Sequence, residues 1–92
     1  MNGPLESIIL SDLGLIAAQV RAARALLGWS QSDLAKNVKV SRSAIADLEG
    51  ARRRPHEATM FVIFSELSAA GVNFTGTGVE FRQYPLPKSR VS

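Results

Sequence analysis

The chain has 92 residues, enough for one hydrophobic core and little more. With 46% hydrophobic and 21% charged residues it is too apolar for wholesale disorder, and the absence of cysteine excludes a disulfide framework, a thiolate nucleophile and a cysteine-type zinc site. Eleven Lys and Arg against eight Asp and Glu leave a net charge of +3, so a polyanionic partner is a natural candidate.

Met1 to Ser7 reads as a loose start, and Ile8-Ile9-Leu10 is apolar enough to need a partner. The start lacks a basic stretch followed by an apolar one, and no apolar run approaches the roughly 18 residues that span a bilayer. A cytoplasmic location with no membrane contact is therefore expected. Helical periodicity begins near Asp12: Leu13, Ile16, Ala17, Val20, Ala23 and Leu27 recur at three- and four-residue steps. Ser11 or Asp12 can cap this helix, and Gly28 stands where a closing glycine belongs.

Ser30 opens a second, short helix that ends at about Val38, with Asp33 placed for a capping box and Leu34, Ala35 and Val38 inward. Ser41 caps a third helix, with Ala44, Ile45 and Leu48 inward and Gly50 closing it. Ala51 to Pro55 is a basic loop. A fourth helix is expected from about Glu57 to Ala70, with Met60, Ile63, Phe64 and Leu67 on one face and Gly71 stopping it.

The last third changes period. Val72 and Phe74, then Val79 and Phe81, alternate with polar residues around the glycine-rich Thr75–Gly78, which predicts a β-hairpin. The rest reads as a frayed tail. The expected divisions are an N-terminal segment (1–11), a helical domain (12–71), a hairpin (72–84) and a flexible tail (85–92).

Charge is unevenly placed. No basic residue precedes Arg21, whereas Lys36, Lys39, Arg42, Arg52, Arg53 and Arg54 crowd one stretch against only Asp47 and Glu49. Helices two and three are joined by about three residues, the spacing of a helix-turn-helix. The first helix of such a pair braces the second, whose outer face then fits a major groove about 12 Å wide. Arg42 lies at the start of that second helix, where side chains reach base edges, and arginine pairs bidentately with guanine.

The runs Gln19-Val20-Arg21-Ala22-Ala23-Arg24, Trp29-Ser30-Gln31, Leu34-Ala35, Val40-Ser41-Arg42, Ile45, Leu48-Glu49-Gly50, Arg52-Arg53-Arg54-Pro55 and Ala58-Thr59-Met60 carry a resemblance. Residues 19–74 resemble the Xre or phage-repressor (Cro-like) family of helix-turn-helix DNA-binding domains. The resemblance implies a mainly α fold, a compact four- to five-helix repressor-type domain, here with a short C-terminal β-hairpin. It implies binding of double-stranded operator DNA as a homodimer and control of transcription, with an origin in bacteria, phages or mobile elements.

Carried over by position, Gln31 touches a phosphate and helps orient helix three. Arg42, Ser43 and Asp47 occupy its outward face, Ala46 reads at most a thymine methyl, and Arg52, Arg53 and Arg54 grip phosphates. Lys39 and Ser41, in the turn and at the cap, complete the set. Lys39 replaces the usual turn glycine, so a positive φ there costs about 1 kcal/mol. Asp47 either accepts from a cytosine amine or repels phosphate and sharpens specificity.

Phe61 and Val62 fall off the inward face of helix four and, with Val72, Phe74, Val79 and Phe81, are the expected dimer surface. The rival reading is a protein-interaction module on the same fold, such as an antitoxin or antiactivator. Trp29 is read as core, His56 as a surface or cap residue, and Lys36 as a weaker phosphate contact. Asp47 and Glu49 lie on different helix faces and form no acid–base pair. With one histidine, no nucleophile–base set and no phosphate-cradling glycine loop, no enzyme, metal or cofactor is expected.

Overall fold

The computed structural model describes residues 12–87, and the expected N-terminal segment with Ile8-Ile9-Leu10, like residues 88–92 of the expected tail, lies outside them. Among the described residues four helices run in order, α1 (Leu13–Leu27), α2 (Gln31–Val38), α3 (Arg42–Glu49) and α4 (Glu57–Ala70). Two strands follow, β1 (Val72–Phe74) and β2 (Val79–Phe81), paired antiparallel with Val72 opposite Phe81 and Phe74 opposite Val79. The mainly helical fold with its terminal hairpin is the one the apolar periods predict.

Local chemistry sets the helix ends. Asp12 accepts from the Leu15 amide at 3.1 Å. Ser30 and Asp33 form a reciprocal capping box: the Ser30 hydroxyl accepts from Asp33 N at 3.0 Å and the Asp33 carboxylate from Ser30 N at 2.9 Å. Ser41 accepts from Ala44 N at 3.1 Å. Gly28 closes α1 at φ 71°, the left-handed conformation that glycine adopts without a steric penalty.

Among the described residues, the non-glycine residues Lys39 (φ 62°) and Ala51 (φ 57°) share that conformation. The first is the turn position where sequence predicts positive φ. The second follows Gly50, which closes α3 as predicted, at φ −88°, so that the left-handed step falls on Ala51. A Cβ at Gly50 would overlap the Arg52 guanidinium where it now lies.

One core joins all the elements. Ile16 and Val20 of α1, Leu34 of α2, Ile45 and Leu48 of α3, and Met60, Phe64 and Leu67 of α4 are fully buried, and Trp29 is buried beside them. Ala35 and Val38 supply the remaining inward face of α2. Val72 brings β1 into the same core, and the Phe74 ring meets Phe64 edge-on at 4.7 Å.

Gln19 lies on the buried side of α1, a polar residue among apolar ones, and donates from Nε2 to the carbonyls of Thr75 (3.0 Å) and Gly78 (3.1 Å). Its amide fastens the hairpin turn to α1. Arg82 fastens the other end, donating to the Ser68 and Ala69 carbonyls where α4 runs out. Beyond the hairpin, Leu86 and Pro87 lie over Gly71: a Cβ there would stand 2.7 Å from Leu86 Cδ2. The start of the expected tail therefore packs on the body of the protein as far as Pro87.

Candidate nucleic-acid interface

Helix α2 braces α3 through Leu34, Ala35 and Val38 on one side and Ile45 and Leu48 on the other, with half-buried Val40 filling the turn between them. Ser41, Arg42 and Ser43 are then exposed at the start of α3, and Ala46 and Asp47 are partly exposed along its outer face. Lys39 in the turn and Arg52, Arg53 and Arg54 in the loop after α3 are all exposed. Ser41, Ser43, Ala44, Asp47, Arg53 and Pro55 line a shallow cleft of about 190 Å³. The predicted polar residues on and around α3 are thus exposed or partly exposed, and Ser41, Ser43, Asp47 and Arg53 share one surface cleft.

The members of that surface are tied to each other. Arg42 Nη1 donates to Gln31 Oε1 at 3.2 Å. Gln31 Nε2 in turn donates to Glu49 Oε1 at 3.0 Å. Because a carboxylate only accepts, it holds the amide with its oxygen toward Arg42. Gln31, expected at a phosphate, is therefore already engaged on both sides of its amide. Ser41 and Ser43 hydroxyls lie 3.2 Å apart, and Arg52 Nε pairs with Asp47 Oδ1 at 3.1 Å.

Glu49 anchors this chain of contacts and is 3% exposed. Arg24 of α1 clasps it with a fork, Nε to Oε2 at 2.6 Å and Nη2 to Oε1 at 2.8 Å, and also donates to the Trp29 carbonyl at 2.8 Å. Arg21 donates to the Glu49 main-chain carbonyl. The hydrogen bond to Glu49 raises the Arg24 pKa above the ordinary arginine value, against the opposing effect of burial. Arg24 and Glu49 both stand in the motifs that carry the resemblance, but the 25 positions between them hide their pairing from the sequence. The one available signal was a carboxylate on the inward side of α3, which needs a buried cation.

The expected dimer residues divide. Phe61 and Val62 are exposed on α4, as their helical phase predicts, and Phe81 is exposed beside Tyr84, with ring centroids 5.0 Å apart. Val72 is completely buried, and Phe74 and Val79 pack on the protein's own core. The inner hairpin face closes its own helices, so Val72 has no surface to offer a second copy. His56 is exposed at the start of α4 and makes no side-chain capping bond. Among the described residues no helix is long and apolar enough to cross a membrane.

Comparison with known families gives a match to one described as a Helix-turn-helix domain, over residues 15–63, more than half of the chain. Neither the curated proteins nor the solved structures searched gave a match.

Proposed function

The chain belongs to the helix-turn-helix domain family, and on that premise we propose that it is a sequence-specific DNA-binding transcriptional regulator of the Xre or phage-repressor type. In this reading α3 is the recognition helix and lies in the major groove, with Arg42, Ser43, Ala46 and Asp47 toward base edges. Lys39, Ser41 and the loop arginines Arg53 and Arg54 meet phosphates, and Gln31 holds the register of Arg42. The observation that carries the reading is the Gln31–Arg42 contact. An arginine at the exposed start of α3 is aimed by a neighbour that is itself held by a buried carboxylate. Such preorganisation is what direct base readout needs.

A domain this small makes few base contacts, and a second copy doubles them. Two copies related by a two-fold axis present recognition helices one DNA turn apart, about 34 Å, to an inverted repeat. Phe61, Val62 and Phe81, with Tyr84, supply the exposed apolar surface for that homodimer.

The test is a footprint of the purified protein on DNA flanking its own gene, followed by Arg42→Ala on the protected site. The substitution costs about 1–3 kcal/mol on that site and relaxes preference at one base pair per half-site. Equal losses on specific and non-specific DNA would make Arg42 a phosphate contact and remove the base-reading role.

A further inference from the structure

We propose that Arg52 is a positioning residue: its guanidinium holds Asp47 so that the other carboxylate oxygen, Oδ2, accepts from a cytosine amine in the major groove. The inference rests on the DNA-binding reading and deepens it. It also changes the role that sequence gives Arg52, from a grip on phosphate to a clamp on the recognition helix.

The loop's first arginine folds back onto the helix it follows. Arg52 Nε donates to Asp47 Oδ1 at 3.1 Å and Nη2 to the Ala46 carbonyl at 3.0 Å. The backbone enforces this direction. Ala51 turns the chain at φ 57°, and the amides of Arg52 and Arg53 then both donate to the Asp47 carbonyl, at 2.9 and 3.3 Å. Gly50 completes the seat, because the guanidinium occupies the space that any Cβ there would fill. A cation over the last carbonyls of a helix is also favourably placed in the helix field.

The pair does not lie in the core, since the Asp47 and Arg52 side chains are 43% and 61% exposed. Exposed ion pairs add little to stability, so the effect of this one lies in geometry and charge. Alone on the outer face of α3, Asp47 would sample several rotamers and repel the phosphates around it. With Oδ1 committed to Arg52, the carboxylate has one orientation and its charge is offset. A base-edge amine is the donor that such an acceptor selects, and the cytosine N4 amine is the one a carboxylate reads. Arg52 is poorly available to phosphate, because reaching out would break both of its bonds to the helix. Arg53, beside the Ser41–Ser43–Asp47 cleft, supplies a phosphate-facing cation instead.

The experiment is selection of a randomised DNA duplex library by the full chain, repeated with Asp47→Ala, Arg52→Ala and Arg52→Lys, each checked for folding by circular dichroism. The wild-type site contains one cytosine per half-site, preferred roughly tenfold or more, and all three variants reduce that preference to about threefold or less while keeping the other positions. Arg52→Lys separates the roles, because lysine keeps the charge and lacks the planar fork that reaches Asp47 and the Ala46 carbonyl together. If Arg52→Lys selects the wild-type site while Arg52→Ala weakens all sequences equally and flattens the salt dependence by about one unit of slope, Arg52 grips phosphate and the proposal is overturned. Retention of the cytosine by Asp47→Ala overturns it as well. A wild-type selection that enriches no sequence removes the DNA-reading premise itself, a failure distinct from either of these.

Discussion

Replacing Glu49 with alanine removes the acceptor on which Arg24 and Gln31 both depend. Arg24 is left as a cation with 19% of its side chain exposed and no counter-charge, and Gln31 Nε2 loses its partner. Breaking a buried pair from one side costs about 3–5 kcal/mol, and the solvent edge of Arg24 favours the low end, about 3 kcal/mol. For a domain of this length that lowers the melting temperature by about 12 °C or more, read by circular dichroism. The raised Arg24 pKa means that the cation's contribution is fully present at all ordinary pH and fades only in strong alkali. The loss is therefore the same in mildly acidic and mildly basic buffer. The double variant Arg24→Leu with Glu49→Leu tests the cause. Removing both charges recovers much of the loss, though not all, because the Trp29 carbonyl loses its donor from Arg24. A Glu49→Ala loss below about 1 kcal/mol, or a double variant as unstable as the sum of its parts, would refute the uncompensated-charge argument.

Gln19→Leu takes the side-chain donor from the Thr75 and Gly78 carbonyls, the second of which keeps the Thr75 amide, and costs about 2 kcal/mol. Amide exchange by NMR then speeds up selectively in the hairpin, whereas uniform acceleration would contradict a local latch. Lys39→Gly relieves the left-handed strain in the turn and stabilises by about 1 kcal/mol in urea unfolding. Phe61→Glu and Phe81→Glu alter side chains that are 49% and 39% exposed, so the fold survives and sedimentation shows monomers. Folded variants that remain dimeric would move the interface elsewhere.

Elements with local causes were legible in the sequence. Ser30 and Asp33 stand three apart, so a capping box can be read directly, and the apolar phases of α1 and α4 place their inner faces correctly. Phe61 and Val62 follow from the same phases. What the sequence hid depends on distant partners or on competition between neighbours. Gln19 carries no local sign of its partners, because the hairpin carbonyls that it meets lie 56 and 59 positions later. Gly50 closes α3 as its residue type predicts, but no local feature marks Ala51 for the left-handed step that follows it. Arg52 itself reads as one of three equivalent arginines, and only its backbone turn separates it from the other two.

The Gln19 latch also sets an order of events as the chain is made. Helix α1 emerges early, but its Gln19 amide meets its first acceptor only at residue 75 and its second at residue 78, so the helical part stays incomplete through most of synthesis. Phe64, Leu67 and Val72, all fully buried, lie beyond residue 63, where the family match stops. A graft cut at that boundary would leave the core open. The smallest transplantable unit therefore extends through β2, and the hairpin is the late closure that makes the earlier helices a folded body.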